Sequence, residues 1–194
     1  ERETHLESSG RLFFEPVVIG SNIAAAGSSQ MLLWHPGHGI AKPLPVKGEL
    51  TAGVDGNEQT VFVANRRGAV QALSMNGEPR WSRELGAEIF TRPRLAGDTL
   101  LVRSQDGRLL ALSAATGDIR WQSDSKTPSL VVRAPAGMAV ADGVVYAGFP
   151  GGRLRAYDVA TGAMQWEAVV AQAKGSSEIE RVTDVLGTPW LEDR

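Results

Sequence analysis

A repeated unit that ends on tryptophan constrains the fold of this chain more than any other feature. The copy 107–121 begins with glycine, contains an alanine and a Thr-Gly pair, and ends on Trp121. The copy 152–166 has the same four features at identical spacing. A third copy, 68–81, keeps the pattern with one residue fewer and without the threonine. Internal repetition at a fixed period predicts a repeat architecture rather than a single irregular domain.

The spacing of the motif tryptophans identifies the kind of repeat. Trp81, Trp121 and Trp166 lie 40 and 45 residues apart. This period is typical of a four-stranded propeller blade rather than of a helical repeat. A degenerate copy, 29–43, keeps the turn glycine and has Pro43 where the other copies have tryptophan.

Each unit has the pattern of short strands joined by tight turns. In residues 89–125, apolar runs alternate with the turns 105–107 and 116–118, which are Gln-Asp-Gly and Thr-Gly-Asp. Such turns supply residues that tolerate positive φ, as antiparallel hairpins require, and Pro93 suits the start of a strand. A sheet of this size buries its faces only against neighbouring units. We therefore predict an all-β chain, a β-propeller of four-stranded antiparallel blades.

The repeated tryptophan is interpreted as a docking residue between blades. One indole ring removes roughly 150–250 Å² from water, which is worth about 5 kcal/mol at roughly 25 cal/mol per Å² before entropy is counted. A row of aromatic rings could instead stack ligands. The regular repetition of the ring at one place in the motif favours structural packing.

The repeat divides the whole chain, which we expect to be part of a larger propeller. Four blades alone would make an unusually small propeller. The predicted segments of this partial propeller are blade one (about 11–46), blade two (about 48–85), blade three (about 89–125), blade four (about 133–170), a loop (171–184) and the start of a fifth blade (185–194).

Composition excludes several classes of function. The net charge is −2 and the 20 basic residues are scattered, so no footprint for nucleic acid or an anionic bilayer is visible. Arg66, Arg67, Arg92 and Arg94 are interpreted as solvated surface. There is no cysteine and hence no disulfide framework. No apolar run has the length of a membrane span and no signal peptide precedes Glu1, so we expect the chain as given to be soluble.

No residue is predicted to be catalytic, to bind a cofactor or to ligate a metal. The only histidine cluster is His35 with His38, and a metal site would need further ligands that the spacing does not supply. We interpret the pair as a turn in blade one. Recurrent aspartates such as Asp118 and Asp158 are explained by the turns that contain them.

Several segments of the sequence resemble motifs of two known protein families. Residues 156–166 fit Ala-x-Asp-x-x-Thr-Gly-x-x-x-Trp, which resembles the repeat of quinoprotein-type (PQQ-repeat) propellers. Residues 127–137 and 172–189 resemble the corresponding connections of the BamB family, the propeller lipoproteins of the outer-membrane β-barrel assembly (BAM) machinery. This second resemblance spans residues 12–190 and is weak in blade one, and it identifies the chain as an N-terminal part of such a protein.

The resemblance implies a non-catalytic, eight-bladed scaffold without a cofactor. Such a scaffold is held at the periplasmic face of the outer membrane by a lipid anchor that this chain lacks. Its implied partner is BamA, the barrel-forming subunit, through the periplasmic POTRA domains. Direct contact with unfolded outer-membrane proteins is left open.

The resemblance also implies the contact residues for BamA. Carried over position by position, Leu130, Val132 and Arg133 form a first patch, and Asp184 belongs to a second. A further position of the second patch, acidic in the family, holds Leu186 here, which puts the strength of that patch in doubt. Apolar anchors beside an arginine are also common at the centres of interfaces.

Alternatives remain open at the level of the residues and of the function. Val131 and Val132 could simply begin blade four while Arg133 pairs internally with Asp184, and a partner could add a strand to a sheet edge instead. The whole chain could be a fragment of a quinone-dependent (PQQ) dehydrogenase, whose blades share the motif. Against this stand the missing cysteines and the lack of a recognisable ligand set. A third class is another periplasmic protein-binding propeller.

Overall fold

The computed structural model describes residues 15–37, 42–123, 137–171, 185 and 187–190. Within these residues the chain is all-β, with four separate sheets of four antiparallel strands. The predicted fold class, a β-propeller with about four blades, is confirmed. None of the described residues belongs to a helix that could cross a membrane.

Each sheet is one blade, and its strands are adjacent in chain order. Blade one contains β1 (Val17–Ile19), β2 (Asn22–Ala26), β3 (Met31–Trp34) and β4 (Lys42–Leu44). Blade two contains β5 (Asp55–Gly56), β6 (Thr60–Ala64), β7 (Ala69–Ser74) and β8 (Pro79–Glu84). Blade three contains β9 (Arg94–Ala96), β10 (Thr99–Arg103), β11 (Leu109–Ser113) and β12 (Ile119–Ser123). Blade four contains β13 (Met138–Ala141), β14 (Val144–Phe149), β15 (Arg153–Asp158) and β16 (Met164–Val169).

The first strands of the blades lie side by side: β1 contacts β5, β5 contacts β9, and β9 contacts β13. These are therefore the innermost strands of an arc of blades, and β4, β8, β12 and β16 form its outer rim. Sequential pairing with short turns follows from the glycines and aspartates of the repeat, which allow the chain to reverse between neighbouring strands.

The hydrophobic core consists of three layers, one between each pair of consecutive blades. The layer between blades two and three contains Phe62, Ala72 and Leu85 facing Leu100, Leu110 and Leu112. The layer between blades one and two contains Ala24, Met31 and Leu44 with Val61, Val63 and Leu73, and that between blades three and four contains Leu101 and Ala111 with Val145, Phe149 and Tyr157. A blade thus has no core of its own and is stabilised by its neighbours.

Two of the motif tryptophans, Trp81 and Trp121, dock their blades on the next one. The indole Nε1 of Trp81 in blade two donates to the carbonyl oxygen of Ala114 in blade three at 2.9 Å. A methyl group on Gly117 would lie 2.6 Å from the Trp81 ring, so the ring lies directly on the turn glycine. Trp121 repeats the arrangement on blade four, with Nε1 donating to the Val159 carbonyl oxygen at 2.8 Å. The interpretation as inter-blade packing is confirmed for Trp81 and Trp121.

Blade one docks on blade two without an indole, and the predicted equivalence of Pro43 with tryptophan is wrong. The atoms nearest to the turn glycine of blade two, Gly77, belong to Leu44 and Pro45. The hydrogen bond to the turn comes from Lys42, whose Nζ donates to the Asn76 carbonyl oxygen at 3.3 Å. Pro43 pairs with Leu32 on β3. It is displaced by one residue from the position that the tryptophan has in the other blades, because the degenerate copy is shifted by one residue.

The outward face of blade four has the same aromatic pair as the outward face of blade two. The ring centroids of Tyr146 and Trp166 are 5.9 Å apart, and those of Phe62 and Trp81 are 5.8 Å apart. Trp81 is covered by blade three, whereas Trp166 is 41% exposed. The same aromatic pair is therefore covered in blade two and partly exposed in blade four.

The prediction that Arg92 and Arg94 are solvated surface is wrong. Both guanidinium groups lie against the carboxylate of Asp55 on the neighbouring innermost strand, with N to O distances of 3.7 and 3.8 Å. This carboxylate also accepts a hydrogen bond from the Leu95 backbone N–H at 2.9 Å. Burial lowers the pKa of Arg92. The pair joins blades two and three at the inner strands, which the linear sequence does not reveal.

We expect Trp121→Ala to destabilise the fold far more than Trp166→Ala. The first change removes a ring that is packed between two blades and leaves a cavity, costing roughly 3 kcal/mol. The second removes a ring that is already partly exposed and should cost about 1 kcal/mol or less. Urea unfolding of the two variants measures the difference. Equal losses of free energy would contradict the docking role of Trp121.

A matched pair of glycine variants tests the close approach of ring and turn. Gly162 and Gly143 have nearly the same φ, 73° and 74°, so alanine strains the backbone by about 1–2 kcal/mol at either position. A methyl group on Gly162 would lie 2.6 Å from the Trp121 ring, whereas one on Gly143 would meet nothing within 4 Å. Gly162→Ala should therefore lose about 1–3 kcal/mol more than Gly143→Ala. Thermal unfolding of both variants checks this.

Candidate partner-binding face

The four residues predicted to contact a partner lie outside the described residues. Leu130, Val132 and Arg133 belong to the segment 124–136, and Asp184 belongs to the segment 172–184. Leu186 is also outside the described part of the chain. The described residues on either side of the two segments nevertheless locate where each segment leaves the propeller.

Both segments leave from the same edge of the blades. The segment 124–136 follows Ser123, the last residue of β12, and 172–184 follows shortly after Val169, the last residue of β16. Because β12 and β16 are the fourth strands of antiparallel sheets with the same order, they end at equivalent places. We call this the connection edge. It also contains the turns between the second and third strands.

The chain after the second segment returns to blade four. A methyl group on Gly148 would lie 2.7 Å from a Val185 methyl, and one on Gly137 would collide with Thr188 Oγ1. Blade two has a similar contact with the chain that follows it, because a methyl group on Gly53 would lie nearest to the side chain of Arg92 on the following blade. Blade four is therefore contacted on its outward face by the residues that follow 172–184.

Backbone hydrogen bonds hold the described connections at this edge. The Arg66 backbone N–H donates to the carbonyl oxygen of Glu49 at 2.9 Å. One blade further along, the Gln105 N–H donates to the Glu88 carbonyl oxygen at 2.8 Å. Each of these turns thus binds the connection that precedes its own blade. This pairing fixes the backbone of the connection edge between blades one and three.

The side chains at the edge of blades two and three form ion pairs. Arg66 lies 3.2 Å from a carboxylate oxygen of Glu49 and 3.8 Å from one of Glu88. Arg108 pairs with Asp106 at 2.7 Å and donates from Nη2 to the Leu85 carbonyl oxygen at 2.6 Å. Exposed pairs of this kind contribute little to stability.

At blade four the connection edge carries an arginine and aromatic cluster, which we call the Phe149 cluster. The Phe149 ring is buried, and the guanidinium carbons of Arg155 and Arg103 lie 4.8 and 5.3 Å from its centroid. The Arg155 Nε donates to Glu167 at 2.6 Å, and Arg153 also pairs with Glu167. Cation–π contacts of this geometry are favourable. The cluster lies between the points at which the two segments leave the blades.

The hydrogen bond from Arg155 holds the pKa of Glu167 below its ordinary value.

The sequence analysis did not single out any residue of the Phe149 cluster. A usable signal was the alternation of Arg153 and Arg155, which places both on one face of β15, opposite Glu167 on β16. Among the described residues, no group of three or more metal-ligating side chains could hold a metal ion.

We expect Arg155→Gln to raise the pKa of Glu167, because it removes the main group that favours the ionised carboxylate. Since the folded-state pKa is lowered, the stabilising contribution is complete above the unfolded-state pKa and is lost as the pH falls through the folded-state value. A titration of the Glu167 carboxyl carbon by NMR measures the change. Arg83→Gln, which removes a distant ion pair with Asp118, is the control and should leave Glu167 unaffected.

Sequence comparison relates the chain to known assembly factors. A family model described as "Outer membrane protein assembly factor BamB" matches residues 20–194. The curated protein of that name from Bordetella pertussis is 36% identical over 190 residues, covering 96% of this chain and 49% of the relative. That from Burkholderia pseudomallei is 33% identical, covering 94% and 49%. The chain spans about half the length of these relatives.

Structural comparison gives a consistent result. The crystal structure of BamB from Moraxella catarrhalis matches with a TM-score of 0.85 and 27% identity, covering 97% of this chain and 60% of that one. The quinohemoprotein alcohol dehydrogenase from Comamonas testosteroni matches with a TM-score of 0.53 and 23% identity, covering 62% and 21%. The second likeness is one of fold alone.

Proposed function

Because this chain belongs to the BamB family of outer membrane protein assembly factors, we propose that it is a non-catalytic scaffold of the BAM complex. In this role it binds the POTRA domains of BamA and so aids the folding and insertion of β-barrel outer-membrane proteins. Its place is the periplasmic face of the outer membrane, where a lipid anchor holds the full-length protein. The match of the family model over residues 20–194 carries this proposal.

The arrangement of the blades supports a scaffold. The stacked sheets bury their apolar side chains in layers between blades, and turns and connections form the edges. Loops on a rigid framework are suited to recognition, because their sequence can vary without disturbing the core. Two long connections, 124–136 and 172–184, leave the same edge on either side of blade four. A partner of domain size can contact both at once.

At the level of residues, we assign the BamA contact to Leu130, Val132 and Arg133 in the first connection and to Asp184 in the second. The apolar side chains would supply buried area and the charged ones would supply orientation, as is usual at the centre of an interface. The Phe149 cluster would add positive charge from Arg153 and Arg155, which lie beside Glu167.

We expect Arg133→Glu to weaken capture of purified BamA POTRA domains by at least about tenfold. Reversal of an interfacial charge removes an attraction and adds a repulsion. Biolayer interferometry measures the affinity, and thermal unfolding verifies that the blades remain folded. Arg80→Glu is the matched control, since Arg80 is exposed on the outer strand β8 and away from the connection edge. Unchanged capture by a folded Arg133→Glu protein would refute the site.

The double variant Arg133→Glu with Asp184→Arg separates a contact from an internal brace. If the two residues pair only with each other, exchange of their charges restores the pair and hence the capture of POTRA domains. If Arg133 contacts BamA directly, capture stays weak in the double variant. The failure of the unsubstituted protein to capture POTRA domains at all would contradict the proposed function itself.

A further inference from the structure

Two arginines at the start of blade three have more hydrogen-bonding capacity than their surroundings use. Arg92 and Arg94 extend towards Asp55 on β5 of blade two. Within the described part of the chain, the side chains of both arginines make no hydrogen bond, and the Nε atom of each is buried. A buried donor without an acceptor is unfavourable, and a bound ion is one of the few explanations for such a group in a native protein.

The carboxylate of Asp55 does not satisfy these donors, because backbone groups hold it in place. Its Oδ1 accepts from the Gly56 N–H at 3.0 Å, and its Oδ2 accepts from the Leu95 N–H at 2.9 Å. The nearest guanidinium nitrogens of Arg92 and Arg94 stay 3.7 and 3.8 Å from these oxygens, beyond the usual hydrogen-bond range of about 2.7–3.2 Å. The contact is therefore one of charge, and it leaves the N–H groups of both arginines without an acceptor among the described residues.

The charges at this place favour an additional anion. Two guanidinium groups lie against the single carboxylate of Asp55. The exposed Glu15 also favours the charged form of Arg92, but more weakly than Asp55 does. Burial, and to a smaller extent the positive charge of Arg94, lowers the pKa of Arg92. A negative group placed between the two arginines would therefore be attracted by both of them.

The arginine pair is fixed on one side and accessible on the other. A methyl group on Gly53 would lie 3.4 to 3.6 Å from the Cδ, Cβ and Cγ atoms of Arg92, so the alkyl chain of Arg92 packs along the backbone of blade two. The side chains of Arg92 and Arg94 are 24% and 32% exposed, whereas that of Asp55 is 12% exposed. An anion can thus reach the two guanidinium groups from solvent, and the fold has already placed both groups on one carboxylate.

We infer that Arg92 and Arg94 form a binding site for an oxyanion, namely a phosphate or a carboxylate group. The planar fork of a guanidinium group matches two oxygens of either anion, and hydrogen bonds between ionised partners are stronger than those between neutral ones. An oxyanion between the two arginines would accept from both and balance the second positive charge. This binding does not require the proposed capture of POTRA domains.

The test follows the Nε–H signals of the arginines by NMR while the protein is titrated with inorganic phosphate at constant ionic strength, so that screening does not change. Parallel titrations use the capped peptide Gly-Glu-Gly and its uncharged counterpart Gly-Gln-Gly. We expect saturable shifts of the Arg92 and Arg94 signals with phosphate, with the glutamate peptide or with both, and the tighter ligand identifies the source of the oxyanion. The signal of Arg80, which is exposed on the outer strand β8, should stay unchanged.

Arg94→Gln removes one of the two guanidinium groups and should weaken binding of the tighter ligand by at least about tenfold, because its charge and its N–H donors are lost. Arg80→Gln is the matched control and should bind as the unsubstituted protein does. In the unsubstituted protein, shifts of Arg92 and Arg94 that saturate with neither phosphate nor the glutamate peptide would overturn the inference. Equal affinities of the folded Arg94→Gln protein and the unsubstituted protein would also overturn it. These titrations do not involve BamA, so they can fail while POTRA capture succeeds, and the reverse.

Discussion

The contact of an indole ring with a glycine turn is the interaction on which the structure depends. Trp81 and Trp121 each extend from the outer strand of one blade onto the next, where the ring covers a glycine and its N–H is satisfied by a turn carbonyl. The ring therefore contributes apolar burial and loses no hydrogen bond. Any side chain on the glycine would prevent this approach, which explains why both residues recur together in the repeat.

A second, polar contact serves the inner side of the arc. Asp55 on β5 accepts from the backbone of β9 and lies against Arg92 and Arg94. A carboxylate that is removed from water needs such partners, and two guanidinium groups with a backbone N–H supply them. Blades two and three are thus joined by a ring at the rim and by charges at the axis, with the apolar layer between them.

The burial of apolar side chains between the blades suits the proposed role as a scaffold. Because stability comes from layers between strands, the connections at the blade edges are free to vary in length and chemistry.

The fold class, the four blades and the docking role of Trp81 and Trp121 could be predicted from the sequence, because a repeat with turn glycines is a local pattern. Other contacts are visible only in the folded chain, because no local pattern contains them. Arg92 meets Asp55 across two blades, Leu44 rather than Pro43 covers Gly77, and Phe149 lies between Arg103 and Arg155. The predicted contact residues in 124–136 and 172–184 stay a prediction. Contacts between residues distant in the chain depend on how blades are placed side by side, and spacing within one blade does not specify that placement.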